Sequence, residues 1–245
     1  MDRNIIIIPT YNEKENIGLL IEKVFSLSIP FEILIIDDNS PDGTANIVQS
    51  FRKKYPDTLH LIERGGKQGL GTAYLTGFKW ALENGYDYIF EMDADFSHNP
   101  DDLERLYKAC SEKGADMAIG SRYKDGVTVI NWPIGRLIMS YYASVYVHII
   151  TGMPVKDATA GFVCYSSRVL STMELGRIRM KGYGFQIEMK YTAWKSGFRL
   201  CEVPIIFMDR TRGTSKMNSG IFGEAFWGVL RLPFKKVKKY SGKHQ

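Results

Sequence analysis

Tyr88-Ile89-Phe90-Glu91-Met92-Asp93-Ala94-Asp95-Phe96-Ser97-His98 is an apolar run that ends abruptly in two acids. Its apolar residues do not alternate with polar ones, which predicts a strand over 88–92 buried on both faces. Asp93 and Asp95 then stand where the strand opens into a loop. The same grammar recurs on either side. Asn4 to Pro9 is a β-branched strand leading into Thr10-Tyr11-Asn12-Glu13, and Phe31 to Ile36 is a strand leading into Asp37-Asp38. Leu59 to Glu63 and Asp116 to Ile119 are further strands. Between them the apolar period changes to that of a helix. Glu15 to Leu27 carries Ile17, Leu20, Ile21, Val24 and Phe25 at helical spacing, and Gly43 to Tyr55, Thr72 to Asn84 and Pro100 to Lys113 follow as helices. Strand and helix in alternation, with buried strands, predict an α/β fold: a mostly parallel central sheet with helices on both faces. Ligands of such sheets bind beyond the carboxyl ends of the strands, where the polar residues of this chain collect.

Composition narrows the class. The chain has 245 residues, 44% hydrophobic and 24% charged, which excludes a disordered, collagenous or disulfide-stapled protein. Cys110, Cys164 and Cys201 are far apart and read as reduced packing residues in a reducing compartment. The four isoleucines Ile5 to Ile8 are too short for a signal-peptide core, and no apolar run reaches spanning length. The net charge of +5 is mild and suits an anionic ligand or a membrane surface. His60, His98, His148 and His244 show no metal spacing, and basic residues do not interleave with aromatics as in a nucleic-acid reader, so no nucleic acid is expected.

Asp93 and Asp95, one residue apart at a strand end, can both reach a divalent cation and a diphosphate. As an isolated pattern, the same acids also suit a solvated turn capping the helix that starts near Pro100. Gly65 to Gly71 lacks the Gly-Lys-Ser/Thr ending of a P-loop, so its glycines read as a means of tight strand-to-helix packing, with Lys67 near a nucleotide. Arg122, Arg136 and Arg210 with Lys216 have no acidic partners at helical spacing. Arginine suits planar, bidentate phosphate binding.

Taken in order, these segments resemble the family 2 glycosyltransferases and, within them, the dolichol-phosphate mannose synthases, over residues 4 to about 220. The matching stretches are Ile8 to Glu13, Ile35 to Thr44, Lys67 to Tyr74, Met92 to His98, Gly120 to Tyr123, Asp157 to Phe162 and Asp209 to Lys216. The resemblance implies a GT-A nucleotide-diphospho-sugar transferase fold. It implies inverting transfer of mannose from GDP-mannose to a dolichyl or polyprenyl monophosphate. Nucleotide-sugar contacts then fall on Pro9, Tyr11, Glu13, Ile36, Asp38, Lys67, Asp93, Ala94 and Lys216. Metal ligation by Mg²⁺ or Mn²⁺ falls on Asp93, Asp95 and Ser97, where Ser97 takes a place that some members give to glutamine. The acceptor phosphate falls to Arg122, Arg136, Ser140 and Arg210, with Asp95, Asp157, Arg122 and Arg210 as the catalytic set. Asp157 is either a base or an orienter of arginine. Gln186 and Glu188 are candidates for lining the sugar site or for a core helix. Replacing Arg122 is expected to harm catalysis far more than stability.

Two rivals stay open: a UDP-sugar-dependent transferase of the same fold, and a non-catalytic nucleotide-sugar-binding membrane scaffold. Residues 1–220 form the catalytic domain in this reading. Residues 221–245 form an amphipathic, basic tail, with Phe222, Phe226, Trp227, Leu230, Leu232 and Phe234 before Lys235, Lys236, Lys238 and Lys239. This tail and the apolar segment Trp132 to Pro154 are expected to lie at a membrane interface, with Pro233 ending the apolar helix. The protein is then peripheral on the cytoplasmic face of a membrane, held there by these segments or by a small membrane-anchoring subunit.

Overall fold

A computed structural model of the chain describes residues 2–209 and 220–242. Its architecture starts from the isoleucine run. In β1 (Asn4–Thr10) every one of Ile5 to Ile8 is fully buried. Ile5 and Ile7 enter one core layer and Ile6 and Ile8 the other. A strand whose alternate side chains fill cores on both faces has no room for polar alternation, which is why the sequence runs Ile-Ile-Ile-Ile.

Around β1 lie β2 (Glu32–Asp37), β3 (Leu59–Glu63), β4 (Tyr88–Glu91), β5 (Met117–Ser121), β7 (Val163–Ser166) and β8 (Leu200–Pro204). Their order across a seven-stranded sheet is β3-β2-β1-β4-β7-β5-β8. Pairing is parallel from β3 through β4 and between β5 and β8, while β7 runs antiparallel to both β4 and β5. The mostly parallel sheet is as expected; the reversed strand β7 was not among the expected strands. The carboxyl ends of β2, β1, β4 and β5 therefore share one edge of the sheet.

Helices α1 (Ile17–Phe25), α2 (Thr44–Arg52) and α4 (Asp102–Ser111) cover one face. Helices α3 (Leu70–Glu83), α6 (Ser167–Thr172) and α7 (Gly182–Ser196) cover the other. Close packing depends on Gly77 of α3, where a Cβ would lie 2.6 Å from the Ile7 side chain, and on Gly71, where it would lie 2.8 Å from Phe185. The packing role expected for the Gly-rich segment holds at Gly71, against a helix rather than a strand, and fails at Gly65, Gly66 and Gly69, where a Cβ would meet nothing within 4 Å.

A second sheet pairs β6 (Val129–Ile130) in parallel with β9 (Phe207–Met208). Two further helices, α5 (Ile134–Thr151) and α8 (Gly220–Arg231), meet where the Tyr146 ring stacks on Phe226 at 5.0 Å. The apolar helix ends at Arg231, and a 3-10 turn follows at Leu232–Phe234, as Pro233 requires.

Candidate active site

The loop after β2 is built by Asp37. Its carboxylate accepts from Thr10 Oγ1 (2.7 Å), the Ser40 amide (2.8 Å) and Ser40 Oγ (2.6 Å), so this acid serves the turn. Asp38 faces differently: it pairs with the Arg64 guanidinium at 2.5 Å and accepts from the Gln68 amide at 3.3 Å. Nearby, Lys67 Nζ stands 5.2 Å from the centre of the Tyr11 ring. The Glu13 amide donates to Thr44 Oγ1 at 3.0 Å, and its carboxylate accepts from Asn16 at 3.1 Å. Pro9 and Ile36 sit directly opposite each other in the β1–β2 register. The loops after β1, β2 and β4 each hold a non-glycine residue in the left-handed region: Asn12 (φ 57°), Asn39 (57°) and Phe96 (59°). Asparagine tolerates that region; phenylalanine there is an outlier that the surrounding loop must enforce.

At the end of β4, Tyr74 donates to Asp93 at 3.5 Å, and the Ser97 amide donates to Asp95 at 3.0 Å. Ala94, Asp95 and Ser97 are buried and Asp93 is half-buried. Among the described residues no three His, Cys, Asp or Glu side chains converge into a metal cage. Two carboxylates on one loop fit a different kind of cation site. Mg²⁺ and similar ions are commonly held by one or two carboxylates with substrate phosphates and water completing the shell. The donor set therefore fits a cation that arrives with a diphosphate, held by Asp93 and Asp95.

Behind this loop lies a buried polar network of which sequence reasoning named Gln186 and missed Glu91 and Lys190. Glu91 is fully buried and accepts from Gln186 Nε2 (2.5 Å) and Tyr165 (3.1 Å). Lys190, also fully buried, donates to the Ala160 carbonyl at 2.6 Å and to the Gln186 side chain at 3.4 Å. Burial pushes the Glu91 carboxyl up to about 7 and pulls the Lys190 ammonium down to about 8. The signal was an acid inside an otherwise apolar strand. His98 is buried too, stacked on Phe162 at 4.8 Å and edge-on to Phe207 at 5.3 Å. Burial pulls its imidazole down to about 4, so it is neutral near pH 7.

The end of β5 carries the cationic half. Arg122 donates through its backbone amide and Nε to one oxygen of Asp157 (2.9 and 2.7 Å). Its Nη2 reaches the other oxygen (2.6 Å) and Thr159 (2.8 Å). Burial alone would raise the Asp157 pKa, but the Arg122 charge and its hydrogen bonds outweigh burial and lower it. Arg136 pairs with Asp209 at 2.9 Å and lies 4.2 Å from the centre of the Trp132 ring. Ser140 accepts from the Tyr123 hydroxyl at 2.8 Å. Arg122 and Arg136 thus have acidic partners after all, and the sequence itself sets Asp125 three residues after Arg122. Those of Arg122 and Arg136 come from 35 and 73 residues away, beyond any helical spacing. Arg210 and Lys216 lie outside the described residues.

Glu188 does not belong to this site. Two residues from Gln186 on a helix, it points to another face. There it accepts from the amides of Arg179 and Met180 (2.8 Å each) and pairs with Lys235 at 2.5 Å. The C-terminal segment is accordingly docked along α7: Lys239 Nζ donates to the Lys195 carbonyl and the Tyr240 amide to the Ser196 carbonyl. Lys235, expected to face lipid, is spent on Glu188. Exposed apolar side chains remain on α5 (Ile134, Tyr142 and Ile149) and beyond it (Trp227 and Phe234). No helix of the described residues is long and apolar enough to cross a membrane.

Residues 5–173 match the family model described as glycosyl transferase family 2. The chain is 44% identical over 232 residues to a polyprenol monophosphomannose synthase of Mycolicibacterium smegmatis, spanning 93% of this chain and 87% of that protein. It is 42% identical over 229 residues to an undecaprenyl-phosphate mannosyltransferase of Micrococcus luteus, spanning 94% and 93%. Among solved structures it resembles a glucosyl-3-phosphoglycerate synthase of Mycobacterium tuberculosis, crystallised with Mn²⁺, uridine diphosphate and glucosyl-3-phosphoglycerate. The TM-score is 0.67 at 15% identity, over 94% of this chain and 78% of that one. At such identity the likeness is one of fold, the GT-A glycosyltransferase fold.

Proposed function

The chain belongs to glycosyl transferase family 2 and is a glycosyltransferase, and on that premise we propose that it transfers mannose from GDP-mannose to a dolichyl or polyprenyl monophosphate with inversion at the sugar carbon. One observation carries this reading: the order of groups along the carboxyl edge of the sheet. Asp38 with Arg64 ends β2, Tyr11 follows β1, Asp93 and Asp95 follow β4, and Arg122 follows β5. That order matches a donor laid out as base, diphosphate and sugar, with a phosphate acceptor beyond it. Both relatives are named for mannosyl transfer to polyprenyl phosphates.

In this reading Asp38, Tyr11 and Glu13 bind the nucleoside, and Lys67 approaches the diphosphate. A divalent cation, Mg²⁺ or Mn²⁺, bound by Asp93 and Asp95 supplies Lewis acidity toward the leaving diphosphate. Arg122, Arg136 and Ser140 orient the acceptor phosphate, with Arg210 from the late basic loop. A phosphate monoester with a second pKa of about 6 is already anionic near pH 7, so no strong base is needed and positioning does most of the work. Asp157, whose carboxylate is occupied by Arg122 on both oxygens, acts as the orienter of that arginine rather than as a base. The acceptor is a lipid, and the exposed apolar faces of α5 and α8 support surface docking to a membrane that presents it.

Thermal unfolding with GDP, UDP and Mn²⁺, followed by mannose transfer from GDP-mannose to polyprenyl phosphate in detergent, tests the reading. GDP-selective, Mn²⁺-dependent stabilisation with transfer is expected. Selectivity for UDP overturns the donor, and no response to either nucleotide overturns the enzyme reading in favour of a scaffold.

A further inference from the structure

Helix α7 is buried along nearly its whole length, yet its buried positions include Gln186 and Lys190. Burying an amide and an ammonium is costly, and apolar side chains of similar size pack such positions at no stability loss in many proteins. Their partners give them a different meaning. Gln186 and Lys190 are one turn apart and joined to each other, with Lys190 Nζ at 3.4 Å from Gln186 Oε1 and 3.3 Å from the Gln186 carbonyl. From this joint the network runs two ways. Gln186 Nε2 reaches Glu91, at the end of β4 and two residues before Asp93. Lys190 Nζ reaches the Ala160 carbonyl, three residues after Asp157, in the loop that holds Arg122.

We propose that Gln186 and Lys190 are positioning residues that tie the carboxylate loop of the donor half to the arginine loop of the acceptor half, so that the two halves keep a fixed separation. The proposal rests on the functional reading above. The carboxylate loop follows β4 and Arg122 follows β5; between these strands lies β7, into which the segment holding Asp157 and Ala160 leads. The β4–β7 ladder ends at Glu91 opposite Val163, and the two loops run on beyond it. The side chains of α7 give a direct connection: Glu91 to Gln186 to Lys190 to Ala160. Each end of the connection has its own function to hold, so breaking one end should disturb one half of the site.

The test uses full-length protein and two near-isosteric variants. Lys190→Met cuts the tie to Ala160 and should raise the KM for polyprenyl phosphate about tenfold, the scale of one lost charge-assisted hydrogen bond. Its KM for GDP-mannose should stay within about twofold of wild type. Gln186→Met cuts the tie to Glu91 and should weaken Mn²⁺ binding to the GDP complex, read by calorimetry, about tenfold. Its acceptor KM should change less than that of Lys190→Met. If Lys190→Met does not fold, the calorimetry on Gln186→Met carries the decision alone. Variants that share the wild-type constants, or that lower kcat equally with no split between halves, overturn the proposal and leave a merely structural network. Wild-type protein that transfers no mannose overturns the functional reading itself, and the proposal with it.

Discussion

Asp157 holds Arg122 by three hydrogen bonds, from the backbone amide, Nε and Nη2, with the carboxylate fully buried and the guanidinium nearly so. The pair fixes the guanidinium plane at the end of β5, with Nε and Nη2 already engaged by the carboxylate. It also changes what removal of either residue does.

Arg122→Ala leaves a buried carboxylate without its counter-ion, which costs about 3–5 kcal/mol of stability. The expectation that this variant spares the fold is therefore replaced: activity and stability fall together. The double variant Arg122→Met with Asp157→Leu should recover most of the stability and none of the activity. Denaturant unfolding beside a transfer assay reads both; a stable, inactive Arg122→Ala single variant would contradict this account.

Acid should unfold the protein in part through Asp157 and Glu32. For both, burial alone raises the pKa, but Arg122 at Asp157, and Tyr86, His60 and Arg3 at Glu32, outweigh it and lower the folded value. A carboxylate with a depressed folded pKa binds fewer protons when folded than when unfolded. Its contribution is complete above the unfolded value, about 4, and is lost as pH falls through the folded value. Melting temperature should be level from neutrality down to about pH 5 as far as these groups contribute, then decline. Tyr86→Phe, which removes one donor to Glu32, should shrink the acid-dependent part of the decline.

Asp95→Ala should retain a cooperative melt, because the Ser97 amide hydrogen bond that it loses is worth about 1 kcal/mol. Turnover should fall on the order of 10³-fold or more if a Lewis acid is lost. Mn²⁺-dependent stabilisation by GDP should vanish with it. Persistence of that stabilisation in Asp95→Ala moves the cation elsewhere.

Membrane docking should depend on exposed apolar side chains more than on the terminal lysines. Trp227 and Phe234 are 62% and 86% exposed, whereas Lys235 is committed to Glu188. Replacing both aromatics with serine should weaken sedimentation with anionic liposomes by more than tenfold, since burying each is worth about 1.5–3 kcal/mol. Lys236→Gln with Lys238→Gln should act less and should mimic added salt. Deleting residues 221–245 is a poorer test, because Val229 and Leu232 lie in the core and Glu188 loses its partner.

Much of this was legible along the chain. The unalternated Ile5 to Ile8 and the acids closing β2 and β4 mark buried parallel strands with acids at their carboxyl ends, because strand period and burial are local properties of sequence. Gly71 was read correctly as a packing residue. Helix ends were read to within a few residues: α2 stops at Arg52 rather than at Tyr55, where end fraying and turn chemistry compete. Less legible was β7, whose antiparallel insertion between β4 and β5 has no signature of its own length or pattern.

Composition, strand period and motif order were sufficient by themselves for an α/β sheet with acids at its carboxyl edge and for the resemblance to a sugar transferase. Tertiary structure alone decided the partners: Arg122 with Asp157, Asp38 with Arg64, Glu188 with Lys235, and Glu91 with Gln186. The reason is physical. Backbone period is set by neighbours a few residues apart, whereas the pairing of a buried charge is set by whichever group the fold brings within about 3 Å, and here those groups come from 26 to 95 residues away.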